Sequence, residues 1–177
     1  MPRTIRRTGG RNEMNAQWGA LNSLVLLLAF STLSAPGIGN GTTAGTLRTT
    51  ASADYRIVNR QYLKAATDDL WDLSGETDTA AGEYRAYYLC VDSSGTASVV
   101  AGTADASSEA AALAQLPTHD ETKSILGVFV AGPATDFDDA GGLAAQGTIH
   151  DGIPDGVPVG VPGEKYAAPQ TITLVGA

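Results

Sequence analysis

Residues 83–101 constrain the fold more than any other part of the sequence. Residues 83–91 place three tyrosines among alanine, leucine and valine, a composition that fits the pleated surface of a sheet. A turn follows over residues 92–95 and ends in Gly95, as in many hairpin loops. Residues 96–101 then return as a second strand. The region therefore predicts an antiparallel hairpin.

Similar strand-like segments lie on both sides of this hairpin. They are residues 54–58, 60–65, 70–73, 123–130 and 148–150, with turns predicted at 67–69 and 74–75. Residues 107–116 predict one helix, because a serine cap precedes an alanine run and Pro117 stops it. We predict a mainly β fold over residues 47–153, a β-sandwich or jelly-roll-like domain with one short helix.

A glycine-rich segment precedes the predicted domain. Residues 36–45 contain Gly37, Gly39, Gly41 and Gly45, and glycine at this density opposes helix and strand. We interpret the segment as a hinge rather than a phosphate-binding loop, since no Lys-Ser/Thr pair follows it. The first unit, residues 1–46, then comprises a basic arm, an apolar helix and this hinge.

The strongest apolar run of the chain is residues 24–30. A membrane-spanning helix needs about 20 apolar residues, so we predict no membrane span. Two interpretations of residues 20–33 stay open, a packed helix and a signal-like segment. Apolar residues three and four apart over residues 12–33 favour a helix that other chains bury.

The C-terminal unit, residues 154–177, repeats proline every four residues, at Pro154, Pro158 and Pro162. Proline disfavours both a helix and a central strand, so we predict an extended arm. Residues 171–175 alternate polar and apolar side chains, a pattern that can add to an exposed sheet edge of a neighbour. Both ends of the chain are thus predicted to contact other chains.

Charge is scarce and unevenly placed. Charged residues make up 17% of the chain and its net charge is −8, against about 25% charged residues in ordinary domains. Residues 1–30 hold four arginines and one glutamate, whereas residues 91–177 hold two lysines and eleven acids. Nucleic-acid affinity needs lysine and arginine to neutralise phosphates, so a nucleic-acid partner is not expected. The basic arm suits an acidic protein surface.

Few residues suggest chemistry. The single cysteine, Cys90, lies in an apolar strand and is expected to be an inert core thiol. The most ligand-like cluster is Asp136, Asp138 and Asp139, whose carboxylates suit calcium. It departs from the EF-hand pattern, so a solvated acidic loop is the competing interpretation. We predict no cofactor, no metal site and no catalytic residues.

One alternative of a different class rests on Asp68, Asp69 and Asp72 beside Trp71. Paired carboxylates next to an aromatic ring are typical of glycoside hydrolases. A carbohydrate-binding module or glycan hydrolase therefore stays open at this point.

Three strings carry a resemblance to a known group of proteins. They are YRI at residues 55–57, YLKAATDDLWDLSG at residues 62–75, and YRAYYL at residues 84–89 with the turn at 92–95. Over residues 47–153 the chain resembles small virion structural proteins of tailed bacteriophages, of the head-decoration (cement) or head-fibre type. The resemblance implies a β-rich, non-enzymatic, often trimeric module located in the virion.

The expected function is therefore that of a capsid decoration protein, with a tail, collar or head-fibre component as the alternative. The expected partners are the major capsid protein and further copies of the chain in a homotrimer. The residues predicted to contact the capsid or neighbouring subunits are Arg3, Arg6, Arg7, Arg11, Trp18, Leu21, Leu24, Val25, Leu28, Phe30, Ile172 and Leu174.

Overall fold

The computed structural model of the chain describes residues 32–58, 60–118, 120, 122–153 and 157. These residues form a mainly β fold, which confirms the predicted class. In chain order the strands are β1 (Ile38–Asn40), β2 (Thr46–Thr49), β3 (Ala53–Ile57), β4 (Arg60–Lys64), β5 (Thr67–Asp72), β6 (Arg85–Asp92), β7 (Ala97–Ala101), β8 (Lys123–Ala131) and β9 (Gly147–Asp151). Helix α1 (Glu109–Leu113) lies between β7 and β8, and a 3-10 turn (Leu143–Ala145) precedes β9.

The strands form three antiparallel sheets. The largest has the order β7-β6-β8-β9, the second has the order β1-β2-β5, and β3 and β4 form a two-stranded sheet. Tyr55 of β3 also forms an isolated antiparallel bridge with Thr32. One face of the four-stranded sheet packs against the two smaller sheets, and the other face packs against α1. The molecule therefore has layers of small sheets, a central sheet and a helix.

Strand β6 shows why the central sheet has two cores. Its side chains alternate, so that Tyr87, Leu89 and Val91 face the small sheets. Ala86, Tyr88 and Cys90 face the helix side. Neighbouring side chains of a strand point to opposite faces, and a strand covered on both faces is apolar without interruption. This explains the continuous apolar run that the sequence places here.

Strand β8 has a bulge that changes the phase of this alternation. Leu89 of β6 pairs with Gly127 but Cys90 pairs with Ile125, which leaves Leu126 as the extra residue. Because of that residue, Ile125 faces the helix side and Leu126 faces the small sheets. A Cβ on Gly127 would collide with Ile38 and with the carbonyl of residue 150, so glycine is required beside the bulge.

Helix α1 confirms the local signals of the sequence. The side chain of Ser108 accepts a hydrogen bond from the N–H of Ala111 at the helix start, which satisfies one otherwise unpaired donor. Ala112 and Leu113 are buried against the central sheet. The helix is shorter than the predicted span of residues 107–116.

Two local predictions are wrong. Residues 36–45 are not simply a hinge, because they contain β1, which pairs with β2 from Ile38↔Thr49 to Asn40↔Leu47. Residues 67–69 are not a turn but the start of β5, whose pairing with β2 is interrupted by a bulge. In both places long-range strand pairing overrides the local preference of glycine and aspartate for turns.

Candidate functional site

The predicted contact residues cannot be placed. Arg3, Arg6, Arg7, Arg11, Trp18, Leu21, Leu24, Val25, Leu28, Phe30, Ile172 and Leu174 all lie outside the described residues. So do residues 12–31 of the predicted N-terminal helix and the C-terminal arm, apart from Val157. That valine is 1% exposed and packs on the helix side of the central sheet. The last two residues of the predicted helix are described and are not helical, because Thr32 forms an antiparallel bridge with Tyr55 and the N–H of Leu33 donates to the carbonyl of Asp54.

Trp71 does not form a sugar-binding surface. Its ring is 1% exposed, and its Nε1 donates a hydrogen bond of 3.0 Å to the carbonyl oxygen of Cys90. A ring that is buried between two sheets cannot stack on a glycan. Trp71 therefore does not support the carbohydrate-binding alternative.

Asp69 holds together the loop that joins β1 to β2. Its carboxylate accepts hydrogen bonds from the backbone N–H and the hydroxyl of both Thr42 and Thr43. The hydroxyl of Thr46 donates a further bond of 2.6 Å. Hydrogen bonding to the two threonines and to Thr46 lowers the pKa of Asp69 well below its ordinary value of 3.8. The bond from the hydroxyl of Thr46 is the largest cause. Asp69 is a structural acceptor rather than a catalytic acid.

Its neighbour Asp72 has a similar local role. It accepts bonds from the N–H and hydroxyl of Ser74 at 3.0 and 2.6 Å, and the hydroxyl bond is the main cause of its lowered pKa. Asp68 lies 3.8 Å from Arg48 in an exposed ion pair. Asp69 and Asp72 therefore stabilise loops, whereas Asp68 contacts Arg48 of strand β2.

In the acidic loop of Asp136, Asp138 and Asp139, side-chain oxygens accept hydrogen bonds from the loop itself. Asp136 Oδ1 accepts the N–H of Asp138, and Asp139 Oδ1 accepts the N–H of Gly141. The side chain of Gln146 donates to Asp139 Oδ2 at 3.2 Å. Among the described residues, no group of three or more histidine, cysteine and acidic side chains is arranged to hold a metal ion.

The surroundings of Cys90 and His150 indicate structural roles for both residues. Cys90 is 2% exposed, and burial raises the pKa of its thiol to about 12, which keeps it protonated and unreactive near neutral pH. His150 Nε2 lies 2.9 Å from Glu109 Oε1. This contact joins β9 to the first turn of α1, so His150 acts here as a link between two elements.

The most conspicuous surface feature is the hairpin of β3 and β4. Its inner face packs on the core, where the ring of Tyr55 stacks on that of Tyr62 at 5.5 Å. Tyr55 also donates a hydrogen bond of 2.9 Å to the carbonyl of Asp92. Its outer side is different, because Leu63 is 68% exposed and Val58 is 58% exposed. These are the two most exposed large apolar side chains in the described part of the chain.

Val58 has an uncommon backbone conformation. The pair Ile57↔Arg60 closes a two-residue turn, and Val58 occupies it with a φ of +45°. For a β-branched residue this left-handed conformation is an outlier, and it costs about 1–2 kcal/mol. We call residues 57–60 the hairpin tip. An exposed apolar side chain is held there at a cost in backbone energy.

The charge of the hairpin contrasts with that of the chain. Arg56, Arg60 and Lys64 stand against the single acid Asp54 within β3 and β4, while the chain has a net charge of −8. Lys64 also donates a 3.0 Å hydrogen bond to the carbonyl of Gly95, which fixes the base of the hairpin to the turn after β6. The hairpin is thus an apolar and basic projection on an acidic protein.

The sequence predicts both strands of this hairpin but no binding role for it. The signal was present in Val58, a β-branched residue in a two-residue turn where glycine or asparagine is usual. The exposure of Leu63 was not visible in the pattern, because only the packing of β3 on the core decides which face of β4 is outside.

Two concave sites in the described part of the chain are open to solvent. An open depression of about 310 Å³ is lined by Arg48, Thr49, Thr50, Ala66, Thr67 and Asp68. A second lies beside residues 32–35 and 151–152. Neither encloses a ligand, so the exposed hairpin is the stronger candidate for a functional surface.

In the described part of the chain no helix is both long and apolar enough to span a membrane. No protein-family model, no curated protein and no solved structure matches the chain.

Proposed function

We propose that this protein is a non-enzymatic structural protein of a phage virion, a decoration (cement) protein that binds the assembled head. The resemblance of residues 47–153 to small phage virion proteins supports the class. The observation that carries the proposal is the β3–β4 hairpin, whose tip presents Val58 in a strained conformation among basic residues. Backbone strain of this kind clusters at functional sites.

The chemistry of the hairpin defines its partner. Exposed apolar side chains that polar residues surround are typical of protein interaction sites. Arg56 precedes the hairpin tip and Arg60 is its last residue. Complementary charge raises association rates and selects partners. The partner is therefore an acidic protein surface with an apolar depression, which we assign to the major capsid protein.

Such a protein acts by mass action. Because it binds the assembled shell and not free capsid subunits, each bound copy stabilises the shell by the free energy of its own binding. The rigid attachment of the hairpin to the core through Tyr55 and Lys64 suits this role, because a rigid binding element loses little conformational entropy on docking.

The test is binding of the purified full-length chain to phage heads that lack it. We expect sedimentation with the heads, saturation at hundreds of copies per particle, and a higher temperature of head disruption. Val58→Asp should reduce the binding at least tenfold. The control is Ala104→Asp, which adds the same charge at an exposed loop outside the hairpin and should bind normally.

Two results would overturn the proposal. One is that the chain neither binds the heads nor changes their resistance to heat. The other is saturation at a few copies per particle, which would instead identify a tail, collar or fibre component. Equal loss of binding in both aspartate variants would show that the hairpin tip is not the contact.

A further inference from the structure

Among the described strands, β4 has one edge without a pairing partner, unlike the ends of the two larger sheets. At one end, β9 lies beside β1, and the N–H of Ile38 donates a 2.9 Å hydrogen bond to Asp151. At the other end, β7 lies beside β5. Strand β4 pairs with β3 on one side and with no other described strand. Its second side therefore presents a row of backbone groups that no described strand pairs with, and such a row is a template for another strand.

The hydrogen bonds of Asp54 show which groups of β4 are free. The carbonyl of Asp54 accepts the N–H of Leu33, and its N–H donates to the hydroxyl of Ser34. Both groups of Asp54 therefore point away from β4. Since Asp54 lies opposite Leu63, this is a pair without mutual hydrogen bonds, and the N–H and C=O of Leu63 point outward.

The same alternation places the backbone groups of Gln61 outward, two residues before Leu63. We call the outward groups of Gln61 and Leu63 the β4 edge. The side chain of Leu63 is 68% exposed beside this edge. An added strand would find unpaired backbone groups and an apolar side chain together, which are the requirements for recognition by strand addition.

The sequence of this chain contains a segment with the matching pattern. Residues 171–175, TITLV, are uncharged, rich in β-branched residues and free of proline. Ile172 and Leu174 would share one face of an added strand, next to Leu63. The fourteen residues from Val157 to Thr171 can span up to roughly 46 Å when extended, so the segment can reach beyond the edge of its own domain.

We propose that residues 171–175 of one copy add to the β4 edge of a neighbouring copy as a third strand of the β3–β4 sheet. The neighbour is the acceptor because Val157, the last described residue, is buried on the helix side of the central sheet, opposite to the hairpin. Each copy then gives one strand and accepts one, and head-to-tail contacts of this kind close into a ring when the rotation permits. A trimer would be such a ring.

The test is cross-linking between two differently tagged full-length copies. One copy carries Leu63→Cys, and the other carries one introduced cysteine at one of positions 171–175. Cys90 can stay, because it is buried. Under mild oxidation we expect a mixed disulfide-linked dimer at alternate positions of the segment, since every second residue of a strand lies on the same face.

A second variant tests the backbone groups themselves. Leu63→Pro removes the outward N–H of β4 but no bond of the β3–β4 ladder, and we expect it to convert an oligomer into a monomer in light-scattering measurements. Leu63→Thr is the matched control, since it loses the apolar side chain but keeps the N–H. It should weaken the oligomer less.

The inference is overturned if the wild-type chain is a monomer, if no position cross-links, or if all five positions cross-link equally. A double variant carries both cysteines in one chain. If it cross-links only within that chain, the exchange of strands between copies is overturned. The result is independent of the proposed function, because head binding is measured separately. A chain that forms the cross-linked oligomer but does not bind phage heads would support the inference and contradict only the capsid role.

Discussion

The central sheet and the β3–β4 hairpin are built from similar residues but have opposite surroundings. Strand β6 is buried along six consecutive residues, with small sheets on one face and α1 on the other. Strand β4 is covered on one face only, and one of its edges pairs with no described strand. Both strands contain tyrosine and leucine. What separates them is whether the fold supplies a second covering layer.

The comparison shows where stability and binding reside. Buried apolar side chains supply most of the stabilisation of a domain, and the central sheet holds most of them here. The hairpin leaves Leu63 and Val58 in solvent, where they add little to folding. Four substitutions test this division, from the largest expected effect to the smallest.

Phe129→Ala should have the largest effect. Phe129 is 0% exposed and lies 6.3 Å from the ring of Tyr87 and 6.5 Å from that of Phe137. The cavity left behind should lower the free energy of unfolding by about 3–5 kcal/mol. Urea denaturation measures it, and Leu63→Ala is the control, with a change within about 0.5 kcal/mol. Comparable losses in both variants would contradict the division.

Asp69→Asn tests the polar loop beside the central sheet. Because the folded pKa of Asp69 is lowered, its ionised form adds stability at neutral pH, and that stability is lost as the pH falls below about 4. The variant should be less stable than the wild type at pH 7, by less than Phe129→Ala. The difference should shrink toward pH 2. Thermal unfolding at several pH values measures it, and a difference independent of pH would contradict the role of the carboxylate.

Tyr55→Phe tests the attachment of the hairpin to the core. It removes the hydrogen bond from Tyr55 to the carbonyl of Asp92 but keeps the ring, so we expect a loss of about 1 kcal/mol. Tyr62→Phe is the matched control, because it removes a hydroxyl from the partly exposed partner of the ring stack. Equal losses for the two variants would show that the bond to Asp92 does not fix the hairpin.

Val58→Gly should have the smallest effect on stability and the opposite sign. Glycine adopts a positive φ without strain, and its own entropy cost offsets part of the gain, so we expect stabilisation of up to about 1 kcal/mol. Binding to phage heads should fall. Ala134→Gly is the control, since Ala134 is exposed with a φ of +58°. It should gain stability and bind normally. Unchanged binding by Val58→Gly would remove the hairpin tip from the contact.

Local signals predicted elements whose partners lie nearby in the chain. Ser108 marked the start of helix α1, because capping acts within one turn. Pro117 lies four residues beyond the end of the helix at Leu113, so it did not mark that end. The turn at residues 92–95 formed as predicted, because Asp92 accepts bonds from the N–H groups of Ser94 and Thr96. The two strands that this turn joins were predicted with it.

Long-range pairing decided what local signals did not. Glycines at positions 37–45 indicated a hinge, yet Gly39 lies in β1 because Arg48 lies opposite it in β2. Residues 67–69 indicated a turn, yet they entered β5, where Asp69 accepts bonds from three threonines more than 20 residues away. These contacts are absent from any short window of sequence.

By itself, then, the sequence determined that the chain is β-rich, where its main hairpin and helix lie, and that Cys90 and Trp71 belong to apolar or aromatic strands. Only the tertiary structure decided that Trp71 is buried, that Asp69 holds a loop, and that Leu63 is exposed beside an edge that no described strand pairs with. The reason is physical: alternation along a strand fixes two faces, but which face is covered depends on the layer that packs against it.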